Sequence, residues 1–288
     1  MSLKPIALVA LLAACGGSSP AAQNPTTTTN AAAPELGPAP ADDAARLAWA
    51  MNGPQRTAAE KARDAARHPK ETLAFFGVTD KSHVVELWPG GGWYTEILAP
   101  YLRDDGKLTV TNFDPAKAKG EQKDFAESFD KKLSGAPSIY GKVEVRRIAP
   151  PDDLSLGPDG SADVVLTFRN LHGWINNGYE KKVFEAAFKV LKPGGVFGFV
   201  EHRANPGLDP KESAKTGYIP EQSVIDLGQS VGFKLAGKSE INANPKDDHN
   251  HEGGVWALPP TFRNGDKDRA KYAAIGESDR MTLKFVKP

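Results

Sequence analysis

His83-Val84-Val85-Glu86-Leu87-Trp88-Pro89-Gly90-Gly91-Gly92-Trp93-Tyr94-Thr95-Glu96 reads as a strand, a tight turn and the start of a helix. The apolar run ends at Pro89 and three glycines, and residues 94–102 then take helical spacing. Glycines let the chain adopt positive φ and let a ligand approach the backbone. The helix start that follows favours a polar or anionic group. A glycine-rich connection in any α/β domain would look the same at this one place, so the rest of the chain has to decide what the turn is for.

Working outward, strand and helix patterns alternate. Upstream, Thr57-Ala58-Ala59-Glu60 has capping-box spacing and opens a helix to Arg67. Pro69 starts a second helix that turns Leu73 and Phe76 inward before Gly77. Downstream, Lys107 to Phe113 is a second strand, and Phe125, Phe129 and Leu133 put an apolar stripe on the next helix. Val143 and Val145 lead into Ile148 as a third strand, and Ala162 to Phe168 form a buried fourth. Residues 183–191 read as a helix, 195–201 as a fifth strand, 220–231 as a helix, 233–240 as a sixth strand and 279–286 as a seventh. This alternation predicts a parallel sheet covered on both faces. A polar insert, residues 242–276, is long enough to be functional or mobile rather than a simple hairpin turn.

The 288 residues are 40% hydrophobic and 25% charged, an ordinary globular composition. Lys plus Arg and Asp plus Glu each total 36, so no global charge points to nucleic acid, and the expected partner is a small molecule. The single cysteine, Cys15, excludes an intramolecular disulfide and a cysteine-built metal site. Residues 1–14 combine a short basic start with an apolar run too short to span a bilayer. Leu12-Ala13-Ala14-Cys15 resembles the bacterial lipobox, in which the signal is cut before the cysteine and its thiol is lipidated. Residues 16–42, rich in Gly, Ser, Pro, Ala and Thr, then read as a flexible leash with a reach of about 25–30 Å. Gly16 stands where, by the same resemblance, aspartate would retain the protein in the inner membrane. The expectation is a periplasmic lipoprotein held at the outer membrane through Cys15, with the folded domain spanning residues 43–288.

Glu86-Leu87-Trp88-Pro89-Gly90-Gly91-Gly92, Asp114, Ser161-Ala162-Asp163-Val164-Val165 and Leu191-Lys192-Pro193-Gly194-Gly195 occur in the order seen in class I S-adenosylmethionine-dependent methyltransferases, which the chain resembles over roughly residues 55–288. More narrowly, through residues 88–96, Asn244-Pro245-Lys246-Asp247-Asp248-His249 and Ser278-Asp279-Arg280, it is similar to a bacterial set of exported predicted methyltransferases. The resemblance implies a Rossmann-like, doubly wound, seven-stranded, mostly parallel sheet with an antiparallel last strand. It also implies S-adenosylmethionine at the carboxyl ends of the first two strands, in line with the rule for open α/β sheets. By that match Glu86 helps organise the methionine end, Gly90 and Gly92 line it, and Asp114 accepts from the ribose hydroxyls. Asp114 also suits a cap beside Pro115, and both roles can hold. Trp88 replaces the first glycine of the family pattern, and Ala149-Pro150 stands where many relatives carry an acid for the adenine.

Candidate substrate-facing residues follow the fourth strand. His172 suits a general base and Asn170 suits a bond to cofactor or substrate, although each also fits a purely local loop contact. Glu201-His202-Arg203 faces the same cleft, unless Glu201 and Arg203 pair with each other. Trp88, Trp93, Tyr94 and Trp174 could wall a substrate pocket or pack as core. Asp247-Asp248-His249-Asn250-His251-Glu252 offers oxygen and imidazole ligands, yet the expectation is a solvated polar turn with no metal. Methyl transfer to a small molecule is the leading expectation. An exported ligand-binding protein on the same fold and a metal-dependent hydrolase built on residues 247–252 are the alternatives.

Overall fold

A computed structural model describes residues 35–288. The expected signal, the lipidation site Cys15 and the leash up to residue 34 lie outside the described residues. No helix among the described residues is long and apolar enough to cross a membrane.

The strands are β1 (His83–Leu87), β2 (Lys107–Phe113), β3 (Glu144–Ile148), β4 (Ala162–Phe168), β5 (Leu191–His202), β6 (Lys234–Ser239) and β7 (Arg280–Val286). They form one seven-stranded sheet in the order β3-β2-β1-β4-β5-β7-β6. All neighbours pair in parallel except β7, which runs antiparallel to both β5 and β6. This is the Rossmann-like arrangement with an antiparallel last strand that the resemblance implies. Successive strand residues point to opposite faces, so Val84 joins one core with Ile97, Leu98 and Val110, while Val85 joins another with Val165, Phe197 and Phe285. Both faces being covered, β1 and β4 carry apolar residues side by side, Val84-Val85 and Val164-Val165-Leu166, while β2 alternates Leu108 and Val110 with buried Thr109 and Thr111 and ends on Phe113. From β1 the chain winds one way to β2 and β3, then returns to lay β4 on the other side of β1. That reversal opens a crevice beyond the carboxyl ends of β1 and β4.

Four helices precede β1: α1 (Asp43–Asn52), α2 (Ala58–Ala62), α3 (Asp64–Arg67) and α4 (Pro69–Phe76). The Thr57/Glu60 capping box forms in full. The single helix expected from it is interrupted at Arg63, whose N–H bonds back three residues to Glu60 O at 3.2 Å, a local tightening. The sequence reading assigned no helix at α1. Asp42 caps it through Ala45 N (2.8 Å), and Tyr101 Oη donates to Asp43 Oδ1 at 2.6 Å, which ties α1 to the helix after the glycine turn, α5 (Thr95–Leu102). Leu36, within the expected leash, packs against the same core.

After β2, α6 (Glu121–Gly135) buries Phe129, but Phe125 is 60% exposed, so the expected apolar stripe is shorter than the sequence suggests. α7 (Pro137–Tyr140) leads to β3. α8 (Leu171–Asn176) and α9 (Glu180–Val190) follow β4, and α10 (Pro210–Ala214) and α11 (Glu221–Val231) follow β5. The insert between β6 and β7 carries a 3₁₀ turn, Gly254–Ala257, and α12 (Arg269–Ile275). Asp247 fastens it. One carboxylate oxygen accepts from Tyr218 Oη (3.1 Å), His249 N (2.9 Å) and His251 Nε2 (2.8 Å), the other from Tyr218 Oη (3.0 Å) and Asp279 N (2.8 Å).

Candidate active site

At the crevice predicted by the strand order lies a cleft of about 650 Å³, within the range for small-ligand sites. The glycine turn forms one wall. Trp88 (φ 43°), Gly90 (φ 57°) and Gly92 (φ 83°) all take left-handed backbone. For tryptophan this is strained, and surrounding contacts hold it: its N–H donates to Thr111 Oγ1 at 2.9 Å, and its ring meets Trp174, Phe113 and Tyr179 with centroids 5.1, 6.2 and 6.4 Å away. A Cβ on Gly90 or Gly91 would meet nothing within 4 Å, so the turn's backbone faces open space. A Cβ on Gly92 would stand 3.0 Å from Phe129, so that glycine serves packing. Lys132 of α6 clamps the turn by donating to Gly91 O at 2.7 Å and pairing with the buried Glu96.

The expected cofactor residues divide. Trp88 and Gly90 line the cleft; Glu86, Gly92 and Asp114 do not. Glu86 lies behind the turn, 2% exposed, and accepts from Thr95 Oγ1 at 2.6 Å. Burial pushes its carboxyl up to about 7 against that hydrogen bond. Asp114, half-buried at the end of β2, accepts from Ala116 N at 3.0 Å, the cap role read from the sequence. Its other oxygen has only Lys117, 3.8 Å away, which leaves it available to a hydroxyl.

Opposite the turn, Phe168, Arg169, Asn170 and His172 enter the cleft from the end of β4. Asn170 Nδ2 donates to Leu87 O (3.0 Å) and Thr167 Oγ1 (3.1 Å), pinning β4 to β1. His172 Nδ1 lies 3.2 Å from Glu201 Oε1. Glu201, fully buried at the end of β5, also accepts from Leu171 N (2.6 Å) and His202 N (2.9 Å). A carboxylate only accepts, so the shared proton belongs on Nδ1 and Nε2 keeps its lone pair. The pairing of Glu201 with Arg203 considered from sequence does not form: Arg203 reaches Glu240 (2.7 Å), Glu221 (3.5 Å) and Asp279 (3.7 Å) instead. His202 Nδ1 bonds Ser278 Oγ at 2.6 Å, and burial, then the charges of His172 and Arg169, hold this imidazole well below its usual range.

Of the four aromatics singled out from sequence, Trp88 and Trp93 line the cleft while Tyr94 and Trp174 are core. The sequence reading missed the basic wall. Arg63 and Arg67, four residues apart, line the cleft together with Glu277. It also missed Val255 and Trp256, which the insert brings to the mouth; Trp256 meets the His172 ring at 5.8 Å. Asp247, Asp248 and His251 place ligand-type atoms within 4.8 Å of one another, but the lone pairs of Asp247 already serve its five hydrogen bonds.

No family model matches the sequence, and no curated protein matches it. Solved structures do match. The chain is similar to an S-adenosylmethionine-dependent methyltransferase from Aquifex aeolicus (15% identity, 86% of this chain and 100% of that one, TM-score 0.50). A protein named as a sarcosine dimethylglycine methyltransferase from Galdieria sulphuraria matches at 16% identity over 80% and 87% of the two chains, TM-score 0.50. The [4+2]-cyclase SpnF matches at 17% over 82% and 85%, also at TM-score 0.50. The fold of the chain is therefore that of the class I S-adenosylmethionine-dependent methyltransferases.

Proposed function

We propose that the protein transfers a methyl group from S-adenosylmethionine to a small-molecule acceptor. The observation that carries this reading is the meeting of two walls in one cleft: an open-backed glycine turn and a histidine oriented by a buried glutamate. The presence of a cyclase among the similar structures is the reason fold alone does not suffice. The residues present fit the donor: Gly90 and Gly91 leave backbone exposed to open space, and Asp114 keeps one oxygen free of backbone donors. S-adenosylmethionine, when bound, supplies a methyl group activated by its sulfonium.

The chain's own residues then do the rest. Asn170 fixes the spacing of β1 and β4, and with it the gap between the two walls. Glu201 holds the His172 ring so that Nε2 can take the acceptor's proton as the new bond to carbon forms, and it steadies the imidazolium that results. Val255 and Trp256 put an apolar surface in the cleft beside the His172 ring. From Leu12-Ala13-Ala14-Cys15 we also propose export and lipid anchoring at Cys15.

The test is transfer of labelled methyl from S-adenosylmethionine into low-mass fractions of a cell extract. The reading expects labelled small molecules with the wild-type protein and a drop of about 10²- to 10⁴-fold with His172→Gln. Labelling unaffected by that change would remove His172 from the chemistry, and no labelling by any fraction would count against transfer itself.

A further inference from the structure

Among the described residues no side chain pairs directly with Arg169, and Glu277 acts on its charge only at a distance. Arg169 follows the last residue of β4 in left-handed backbone (φ 61°), and its N–H is fixed by Val200 O at 2.7 Å. The side chain lines the cleft, yet among the described residues its guanidinium has no hydrogen bond, ion pair or ring contact. Three more guanidinium groups lie in its neighbourhood, and all three ion-pair with one carboxylate, although Arg280 also donates to Ser278 O and Ala66 O and Arg67 lies over the Trp93 ring. Glu277 receives Arg63 Nε at 2.6 Å, Arg67 Nε at 3.1 Å and Arg280 Nη1 at 3.2 Å. Arg67 and Arg280 are 4% and 2% exposed, while Arg63 and Arg169 are half-buried and reach the cleft. The other acid at this wall, Glu60, is engaged with Thr57 N at 2.7 Å.

Four guanidinium groups share one carboxylate, Glu277, which is already engaged by three of them, and charges inside folded proteins are normally paired. Burial, then the charge of Arg280, pushes Arg169 down to about 10, and burial, then Arg169, pushes Arg67 down to about 9. Both remain charged at neutral pH. Arg169 faces the cleft with its guanidinium donors unused by the described residues, so a bound molecule can supply the partner. A guanidinium presents a planar fork of donors that matches a carboxylate or a phosphate.

We propose that Arg169, backed by Arg67, is an anion subsite in the acceptor half of the cleft, and that the molecule methylated carries a carboxylate or phosphate group. The proposal rests on the methyl-transfer reading for the word acceptor, but not for the anion. Arg169 and His172 leave the same strand end three residues apart and line one cleft, so an acceptor held by its anionic group at Arg169 is presented to His172. The carboxylate of the methyl donor has the same chemistry, and the experiment has to separate the two sources.

Inorganic phosphate is titrated by calorimetry, at constant ionic strength, into wild type, Arg169→Gln and Arg169→Lys, each with and without saturating S-adenosylhomocysteine. The proposal expects phosphate binding in wild type that persists with S-adenosylhomocysteine bound, falls about tenfold or more in Arg169→Gln and is partly kept in Arg169→Lys. Melting curves confirm that the variants are folded, and the lysine variant keeps the test valid if the glutamine variant is not. Absence of phosphate binding in wild type, or affinity unchanged in folded Arg169→Gln, overturns the proposal. Phosphate binding abolished by S-adenosylhomocysteine also overturns it, because the site then belongs to the donor. Failure of the methyl-transfer reading looks different: S-adenosylhomocysteine gives no heat while phosphate binds and responds to Arg169.

Discussion

His172 Nδ1 stands 3.2 Å from Glu201 Oε1, and the same carboxylate accepts the N–H groups of Leu171 and His202, so the residue that orients the base also ties α8 to β5. Two outcomes should therefore separate. His172→Gln is expected to lower transfer while leaving the melting temperature within a few degrees. Glu201→Ala should lower both transfer and the melting temperature, since each buried N–H left unpaired costs about 1–3 kcal/mol. Thermal melts beside labelled-methyl assays check this, and a stable, inactive Glu201→Ala would show that the anchoring role is misassigned.

Glu277 should make the protein acid-sensitive. Burial alone would raise its carboxyl, but Arg67, Arg280 and Arg63 overcome it and hold the group at about 2. A folded-state value below the unfolded 4.5 stabilises the fold above pH 4.5, and that contribution disappears as pH falls from 4.5 towards 2. The size is roughly 3 kcal/mol, less whatever the crowded arginines return, since Arg67 is itself pushed down to about 9 by burial and by Arg169. Glu277→Gln is expected to lower stability at pH 7 and to flatten the loss between pH 4.5 and 2. Denaturant titrations at several pH values test it; parallel wild-type and mutant curves would contradict it.

Much of this was legible in the sequence. The strands β2 and β4 have the expected limits because each is rich in β-branched residues and cut off by a turn, Asp114-Pro115 in one case and the residues after Phe168 in the other. The glycine turn and His172 were legible for the same reason, as local patterns beside a strand end. What could not be read is what the fold brings from far away. Glu277 meets Arg63 across 214 positions, and no local spacing announces such a pair. Phe125 has the periodicity of a core residue but stands 60% exposed and lines the cleft, because its helix turns only part of its apolar stripe to the sheet. Asp247 and His251 read as part of a solvated polar turn in sequence; in the structure both are buried, and Asp247 is the hydrogen-bond hub of the insert.

That hub yields a further expectation. Asp247→Ala strips the partners from Tyr218, His251 and two backbone N–H groups, and should cost on the order of 3–5 kcal/mol. A chelator should leave the melting temperature of the wild type unchanged. Stoichiometric metal in the purified protein, lost with His251→Ala, would instead favour a metal-dependent reaction at the insert.

Anchoring can be checked without reference to the cleft. Cys15→Ser is expected to move the protein from the detergent phase to the aqueous phase in phase partitioning, with the folded domain unaffected. Identical partitioning of the variant and wild type would count against lipidation.

The most direct test of the central claim is calorimetric titration of S-adenosylhomocysteine into the wild-type domain and into Asp114→Ala. The account predicts one-to-one binding that weakens about ten- to a hundredfold in the variant, from loss of a charge-assisted hydrogen bond of roughly 1.5–3 kcal/mol. The cap to Ala116 N contributes about 1 kcal/mol to stability, so the variant should remain folded. No heat from a well-folded wild-type domain would contradict the account, and equal affinity in the two proteins would leave Asp114 as a cap alone.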